Sequence, residues 1–363
     1  MTYRTILSAS VLALLVATPA LAHHPGGVGG IETSGAIATI PATPLEQGHG
    51  AIAFFYEYIK LGGLSDAALA AAAGRHEHVH SIGTIQSPTI VGGLGLTSDL
   101  SVYLSLPYVL RTDIREGHHE HVAGVAINSV DFRGDSAGIG DLTALGQWRF
   151  FNNRATGTEV ALLFGGKAPT GRTNVHDDLG ELFEAEFQPG SGGWDGLLGL
   201  AATQHLGRWS LDANVLYQFV GTGVQDTNLG DRFRYNAAVS FRAIGWTDPN
   251  DPLHAHAHVT PSRGKAKARH VHNHDHGPEP APPPQFKLDL VLELNGEWHD
   301  KQVTAGVVDP NSGGNTVYLS PGIRASLGNV SGFASVGVPV INEPNGLQSK
   351  PDFRVVTGIA AAF

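Results

Sequence analysis

Histidine is the residue type in this sequence whose spacing could do chemistry. Thirteen of the 19 histidines fall in four clusters: His76, His78, His80; His118, His119, His121; His254, His256, His258; and His270, His272, His274, His276. Neutral imidazole is the commonest nitrogen ligand for Zn, Cu and Ni, and alternate spacing lets one extended segment present several rings on one side. Ordering such ligands in a flexible loop costs conformational entropy, so the pattern predicts loose, multi-ion binding of divalent metal rather than one site of fixed geometry. Asp275 adds a carboxylate between two of these rings. His23 and His24 would stand at a mature N-terminus, where the freed amine and imidazole chelate copper. The competing reading is a solvated low-complexity loop with no metal role. No cluster has the His-Glu-x-x-His spacing of a catalytic zinc, and no pattern calls for a required cofactor.

Catalytic constellations are weak. His205, Ser210 and Asp212 lie across the tight turn Gly207-Arg208, but no Gly-x-Ser-x-Gly elbow accompanies them. The glycines from Gly134-Asp135 to Gly140-Asp141 follow a loop into a strand, which excludes a dinucleotide fingerprint. The sequence predicts no enzyme.

The elements that must carry these residues are strands. From Phe286 to Trp298, Phe286, Leu288, Leu290, Leu292, Leu294 and Trp298 share one parity, while Lys287, Asp289, Glu293, Asn295 and Glu297 share the other. That is a strand with an apolar and a charged face, long enough to cross a bilayer and bracketed by aromatics. Residues 1–22, with Arg4, an apolar run and Ala20-Leu21-Ala22, read as a signal peptide cleaved after Ala22. Without Arg4 the mature chain keeps 33 acidic against 22 basic residues, so nucleic acid is not an expected partner. Beyond the signal no segment approaches a membrane helix, and the absence of cysteine excludes a disulfide framework and thiolate metal sites.

Alternation elsewhere gives about twelve strands, predicting an all-β, antiparallel transmembrane barrel over 48–363, porin-like, in the outer membrane of a Gram-negative cell. Residues 23–47 read as an irregular arm that either enters the lumen or stays in the periplasm. An even strand count puts both termini in the periplasm, with short turns near residues 97, 155, 207 and 329 and longer extracellular loops near 70, 125, 180, 226, 307 and 346. The exception is the His/Pro-rich connection 247–285, which parity places in the periplasm although it is the longest; its composition predicts a disordered, flexible insertion. A final strand ending on Phe363 looks like an assembly signal.

Inward parity collects charges of both signs, among them Arg232, Arg234, Arg242, Lys287, Asp289, Glu293 and Glu297. If strands eight and nine pair with level ends, Arg242 faces Asp289 and Arg234 faces Glu297. A polar interior of mixed sign fits a narrow water-filled or plugged barrel.

Four segments carry a resemblance: Gly138-Ile139-Gly140-Asp141-Leu142, Gly166-Lys167-Ala168-Pro169-Thr170-Gly171, Phe187-Gln188-Pro189-Gly190-Ser191-Gly192 and Asp226-Thr227-Asn228-Leu229-Gly230-Asp231. With them the chain, from about residue 40 to 363, resembles the outer-membrane transporter family named for the meta-pathway of phenol degradation. The resemblance implies a β-barrel that passes small hydrophobic or aromatic compounds, and supplies no catalytic residues. The 247–285 segment looks like an insertion relative to that family and points to metal-linked roles. The expectation is therefore a lipid-embedded barrel passing or binding a small solute, with Zn, Cu or Ni held loosely by its His-rich loops. The alternative is a non-transporting structural barrel that docks a periplasmic metal-handling partner.

Overall fold

The computed structural model describes residues 35–246 and 285–363. Twelve strands form the wall: β1 (Gly50–Gly62), β2 (Thr84–Gly95), β3 (Leu100–Val122), β4 (Leu142–Asn153), β5 (Thr158–Ala168), β6 (Asp195–Leu206), β7 (Trp209–Val220), β8 (Arg232–Ile244), β9 (Phe286–His299), β10 (Gly314–Leu327), β11 (Val330–Pro344) and β12 (Lys350–Ala362). Each pairs antiparallel with its sequence neighbours, and β12 returns to β1 along Ala51↔Ala362 to Gly62↔Lys350. Closure removes the exposed edge that an open sheet would present. The ends are stitched at the last residue, since Gly50 and Phe363 exchange both backbone hydrogen bonds at 2.8 Å.

The outer face explains why this sheet closes in lipid. Phe286, Leu290, Leu292 and Leu294 of β9 are nearly half exposed, as are Leu104, Trp148, Phe150, Leu198, Phe219, Val338 and Ile359 on other strands. So much apolar surface would aggregate in water, but it is what a hydrocarbon phase solvates. Aromatics gather at both rims. Trp209 packs on Phe241 and Trp148 on Phe150 toward the short turns, while Tyr217, Phe219, Phe233 and Tyr235 form a chain of rings at the other end. Two aromatic girdles around an apolar band mark a transmembrane barrel. No helix among the described residues is long and apolar enough to cross a membrane.

Two connections differ from expectation. The stretch read as a long loop from Arg111 to Ser136 is a β-hairpin: β3 runs on far past the membrane band and pairs there with Val125–Ile139. Its tip is Ala123-Gly124, with φ of 51° and 81°, the left-handed pair that a two-residue hairpin turn demands. Residues such as His118, His119, Glu120 and His121 are polar on both faces, so no period-2 signal betrayed the strand. The Ala-rich stretch after β1 forms a helix, α1 (Asp66–Ala73), capped by Ser65, whose side chain accepts from the Ala68 N–H. It lies so close to the hairpin that a Cβ on Gly117 would meet the Leu69 carbonyl oxygen at 2.3 Å.

Inside the wall, residues 35–47 settle the two placements left open for the arm: this part of it enters the lumen. The backbone N–H groups of Ile37, Ala38 and Thr39 all donate to the Glu293 carboxylate at 3.0–3.1 Å. Ile40 N–H donates to Asn214, Ala42 to Thr203 and Leu45 to Ser101, while Gln147 donates to the carbonyls of Pro41 and Thr43. The segment therefore runs around the inner wall from β9 toward β3. Ile37, Ile40, Ala42 and Leu45 pack with inward-facing Phe55, Val91, Leu145, Leu163, Leu197, Leu216 and Val291 in one apolar cluster. The interior is thus not uniformly polar as parity of charges alone suggested. The signal peptide, His23, His24 and the connection 247–284 lie outside the described residues.

Candidate functional site

Between the arm and the long-loop end, the lumen holds a cavity. Its lining is mixed: apolar Ile40, Val109, Leu197, Leu216, Val220 and Leu229 are interleaved with polar Asp141, Lys167, Asp195, Gln218, Arg232 and Arg234, so that Leu216 stands beside Arg234 and Leu197 beside Gln218 in register.

The glycine-rich motifs position much of the charge in this lining. Lys167 Nζ lies 2.9 Å from Asp141 Oδ2 and 3.0 Å from Asp195 Oδ2. Asp141 also accepts from the backbone N–H of Gly171 and of Ser191, and from the Ser191 hydroxyl, at 2.8–2.9 Å. Three distant sequence motifs therefore converge on one carboxylate. Gly171 and Gly190 are needed for the approach, because a Cβ on Gly190 would meet Gly171 Cα at 2.6 Å. The fourth motif closes the rim. Asp231 accepts from the Tyr217 hydroxyl at 2.8 Å and the Val220 N–H at 2.7 Å, which brings buried Leu229 over the cavity. The sequence displayed these motifs, but their convergence needed the barrel.

The wall charges on β8 and β9 stand where strand parity puts them. Arg234 faces Glu297 in register and Arg242 faces Asp289. Arg234 Nε donates to Glu297 at 2.7 Å, and Arg242 pairs with Asp289 through both guanidinium and carboxylate groups. Arg232, Asp289 and Glu293 are buried inside the barrel, and Lys287 is half-buried at the start of β9. Glu293 holds the arm rather than another wall residue.

Of the four histidine clusters, two are brought together at the long-loop end. The His119 ring stands edge-on to His76 at 4.6 Å and to His121 at 5.0 Å. His119 Nδ1 is 2.6 Å from Asn128 Oδ1, and His118 Nδ1 is 3.3 Å from Asp131. On the other flank His80 is largely buried among carboxylates that the sequence did not single out. Its Nε2 is 3.5 Å from Glu116 and 3.6 Å from Glu184, and its Nδ1 is 3.3 Å from Glu186. His78 is exposed, with Nδ1 3.9 Å from Glu116. Burial works against a charge on His80, but the close Glu116 and Glu186 carboxylates, with Glu184 behind them, hold its pKa well above the ordinary value. Burial likewise raises Glu184, reinforced by Glu186 and Glu116. The clusters His254, His256, His258 and His270, His272, His274, His276 lie outside the described residues.

The residues considered for nucleophilic chemistry do not form a triad. Ser210 donates to Asp212 at 3.0 Å, and the other Asp212 oxygen is taken by Thr203 at 2.7 Å. His205, the cross-strand partner of Ser210, is exposed beside the turn.

The sequence profile of the family described as "Putative MetA-pathway of phenol degradation" matches residues 48–249. Among solved structures the chain is similar to an outer membrane channel from Pseudomonas putida F1, at 16% identity and a TM-score of 0.52, over 89% of this chain and 98% of that one. At this identity the likeness is one of fold. The β domain of a Bordetella autotransporter (10% identity, TM-score 0.42, 87% and 100% covered) is more distant. So is a toluene transporter from Ralstonia pickettii (8% identity, TM-score 0.37, 88% and 90% covered). No curated protein matches the sequence.

Proposed function

The chain belongs to the MetA-pathway phenol-degradation family, whose profile covers more than half of it, and from that membership we propose an outer-membrane barrel of a Gram-negative cell that passes or binds a small hydrophobic or aromatic solute. The observation that carries this reading is the mixed lining of the cavity. A water-filled pore lines its lumen with polar groups, whereas here Leu197, Leu216, Val220 and Leu229 are interleaved with Lys167, Arg232 and Arg234 on the same wall, Leu216 standing beside Arg234 in register. Ligand pockets are commonly apolar with a few placed polar groups, and an aromatic ring carrying one oxygen substituent matches such a lining. The likeness to a barrel named as a channel supports the reading.

The test is binding of phenol to the purified barrel, followed by saturation-transfer NMR with glucose as the control. Phenol should saturate and glucose should not. Leu216→Asn, which removes about 1.5–3 kcal/mol of apolar burial, should weaken phenol by roughly 10- to 100-fold. Equal response to phenol and glucose, or an unchanged Leu216→Asn, would remove the basis for an aromatic solute.

The His-rich connection adds a second property in this proposal: loose binding of Zn, Cu or Ni by histidines 254–276. The alternative function, a structural barrel that docks a periplasmic metal-handling partner, is favoured by one observation, the arm lying across the lumen. Planar-bilayer conductance separates the two, because a permanently plugged barrel carries no ion current.

A further inference from the structure

The loop-end cluster does not fit the loose binding that the histidine spacing suggests. His80 is held by packing rather than by tether length: it stacks edge-on against Phe187 at 4.9 Å and pairs through the backbone of His80–Ser81 with Arg115–Glu116 of β3. Its Nε2 is buried and makes no hydrogen bond, although two carboxylate oxygens lie 3.5 and 3.6 Å away. Once its proton is lost, that nitrogen offers a lone pair to the space it shares with the two carboxylates.

We propose that His80 Nε2, Glu116 and Glu184 form a binding site for a divalent cation of the zinc type, with exposed His78 as the fourth ligand and Glu186 orienting the His80 ring. Three observations carry it. First, ligands at about 2.0–2.2 Å around a tetrahedral ion stand about 3.3–3.6 Å from one another, which is the spacing of Nε2 to Glu116 and Glu184. One ligand atom from each of His78, Glu116 and Glu184 lies within 4.8 Å of the others, and the same holds for His80, Glu184 and Glu186. Second, Glu186 sits 3.3 Å from Nδ1, the ring nitrogen that is not paired with Glu116 and Glu184. A metal-bound histidine donates its second N–H to a carboxylate in this way, which fixes the tautomer with Nε2 free.

Third, carboxylates converge here: Glu116, Glu184 and Glu186 surround His80, and Asp309 adds another to the adjoining cavity. Arg133 is shared among Asp177 at 2.8 Å, Glu181 at 2.9 Å and Glu116 at 3.6 Å. A divalent ion would supply opposite charge among them. The inference is independent of the solute reading, since the site lies on the loops beyond the barrel wall.

The experiment uses the full chain in detergent, freed of metal, with the seven histidines from 254 to 276 replaced by glutamine. It is titrated with Zn²⁺ by calorimetry and with Co²⁺, whose visible bands report coordination. One saturable equivalent is expected. Glu186→Gln should weaken it by about 10- to 100-fold, the loss typical of an outer-shell partner, and Glu184→Gln and His80→Gln by at least that much. Heat-modifiable migration on gels checks that each variant is a folded barrel. Absence of a saturable equivalent, or one that survives both Glu184→Gln and His80→Gln in folded protein, overturns the proposal.

Discussion

Replacing Glu293 with alanine should release the arm from the lumen. The carboxylate accepts from three consecutive backbone N–H groups, those of Ile37, Ala38 and Thr39. Hydrogen bonds to a charged group contribute about 1.5–3 kcal/mol each, and a buried donor left without a partner costs about 1–3 kcal/mol. Losing all three therefore costs about 3–9 kcal/mol. The remaining anchors, from Asn214, Thr203, Ser101, Gln147 and Arg324, and the apolar packing of Ile37, Ile40, Ala42 and Leu45 would then have to hold the arm alone against the conformational freedom it regains. The wall should persist, because its twelve-strand ladder does not run through Glu293's side chain. Hydrogen exchange of the amides of residues 37–45 reads the effect directly: protection should fall in Glu293→Ala while amides of β6 and β7 keep theirs, and single-channel conductance should rise. Arm amides as protected as in the parent would refute the anchoring argument, whatever the conductance does.

Lys167→Met leaves the buried carboxylates of Asp141 and Asp195 facing each other without their cation, a change that costs about 3–5 kcal/mol when a buried pair is broken; lower resistance to urea and loss of order in residues 169–193 should follow, and an unchanged transition would contradict it. In metal-free protein, His80 has a folded pKa above its ordinary value of about 6.5. Its stabilisation is therefore complete below that value and lost as pH rises through the folded one. Amides of residues 78–82 should exchange relatively faster on going alkaline in the parent than in His80→Gln, after correction for the intrinsic pH dependence, and identical corrected profiles would dismiss the charge on His80. Deleting residues 249–284 should leave a folded barrel that takes up less Zn or Cu; equal uptake would sink the metal role of that connection.

The strands were legible because a membrane barrel writes its period into the chain. Each outward residue meets lipid and each inward one meets polar groups or packing, so Phe286 to Trp298 could be read without any partner, whereas its register with β8 was only assumed from level strand ends, and the structure has that register, with Arg234 against Glu297 and Arg242 against Asp289. The arm was not legible for the opposite reason. Ile37, Ile40, Ala42 and Leu45 have no regular spacing, and their partners Glu293, Asn214, Thr203 and Ser101 lie between 56 and 256 positions away. The hairpin beyond Tyr108 leaves the lipid and packs against α1 and the neighbouring loops, with polar residues on both faces toward its tip, and so lost the alternation that revealed the wall. The loop-end carboxylates were hidden differently: Glu116, Glu184 and Glu186 are ordinary acids in sequence, and only the folding of two separate connections over β3 sets them around His80.

The position of the cavity follows from the same division of labour. Below it the arm crosses the lumen, held by hydrogen bonds between its backbone and wall side chains and by packing of Ile37, Ile40, Ala42 and Leu45 on inward-facing apolar residues. Above it the glycine-rich connections close around Asp141, where Gly171 and Gly190 allow a packing that side chains would forbid. The wall itself needs neither closure, since every strand is satisfied by its neighbours. Both ends of the cavity are therefore built from contacts that can be altered without dismantling the barrel. A solute in the cavity would meet Lys167 and Arg232 at the loop end and Ile40 at the arm, so the polar end of the solute should point outward and its ring toward the arm. Under the solute reading proposed above, movement through the barrel would require displacing the Ile40 contact, so the arm is the element whose release should change passage most.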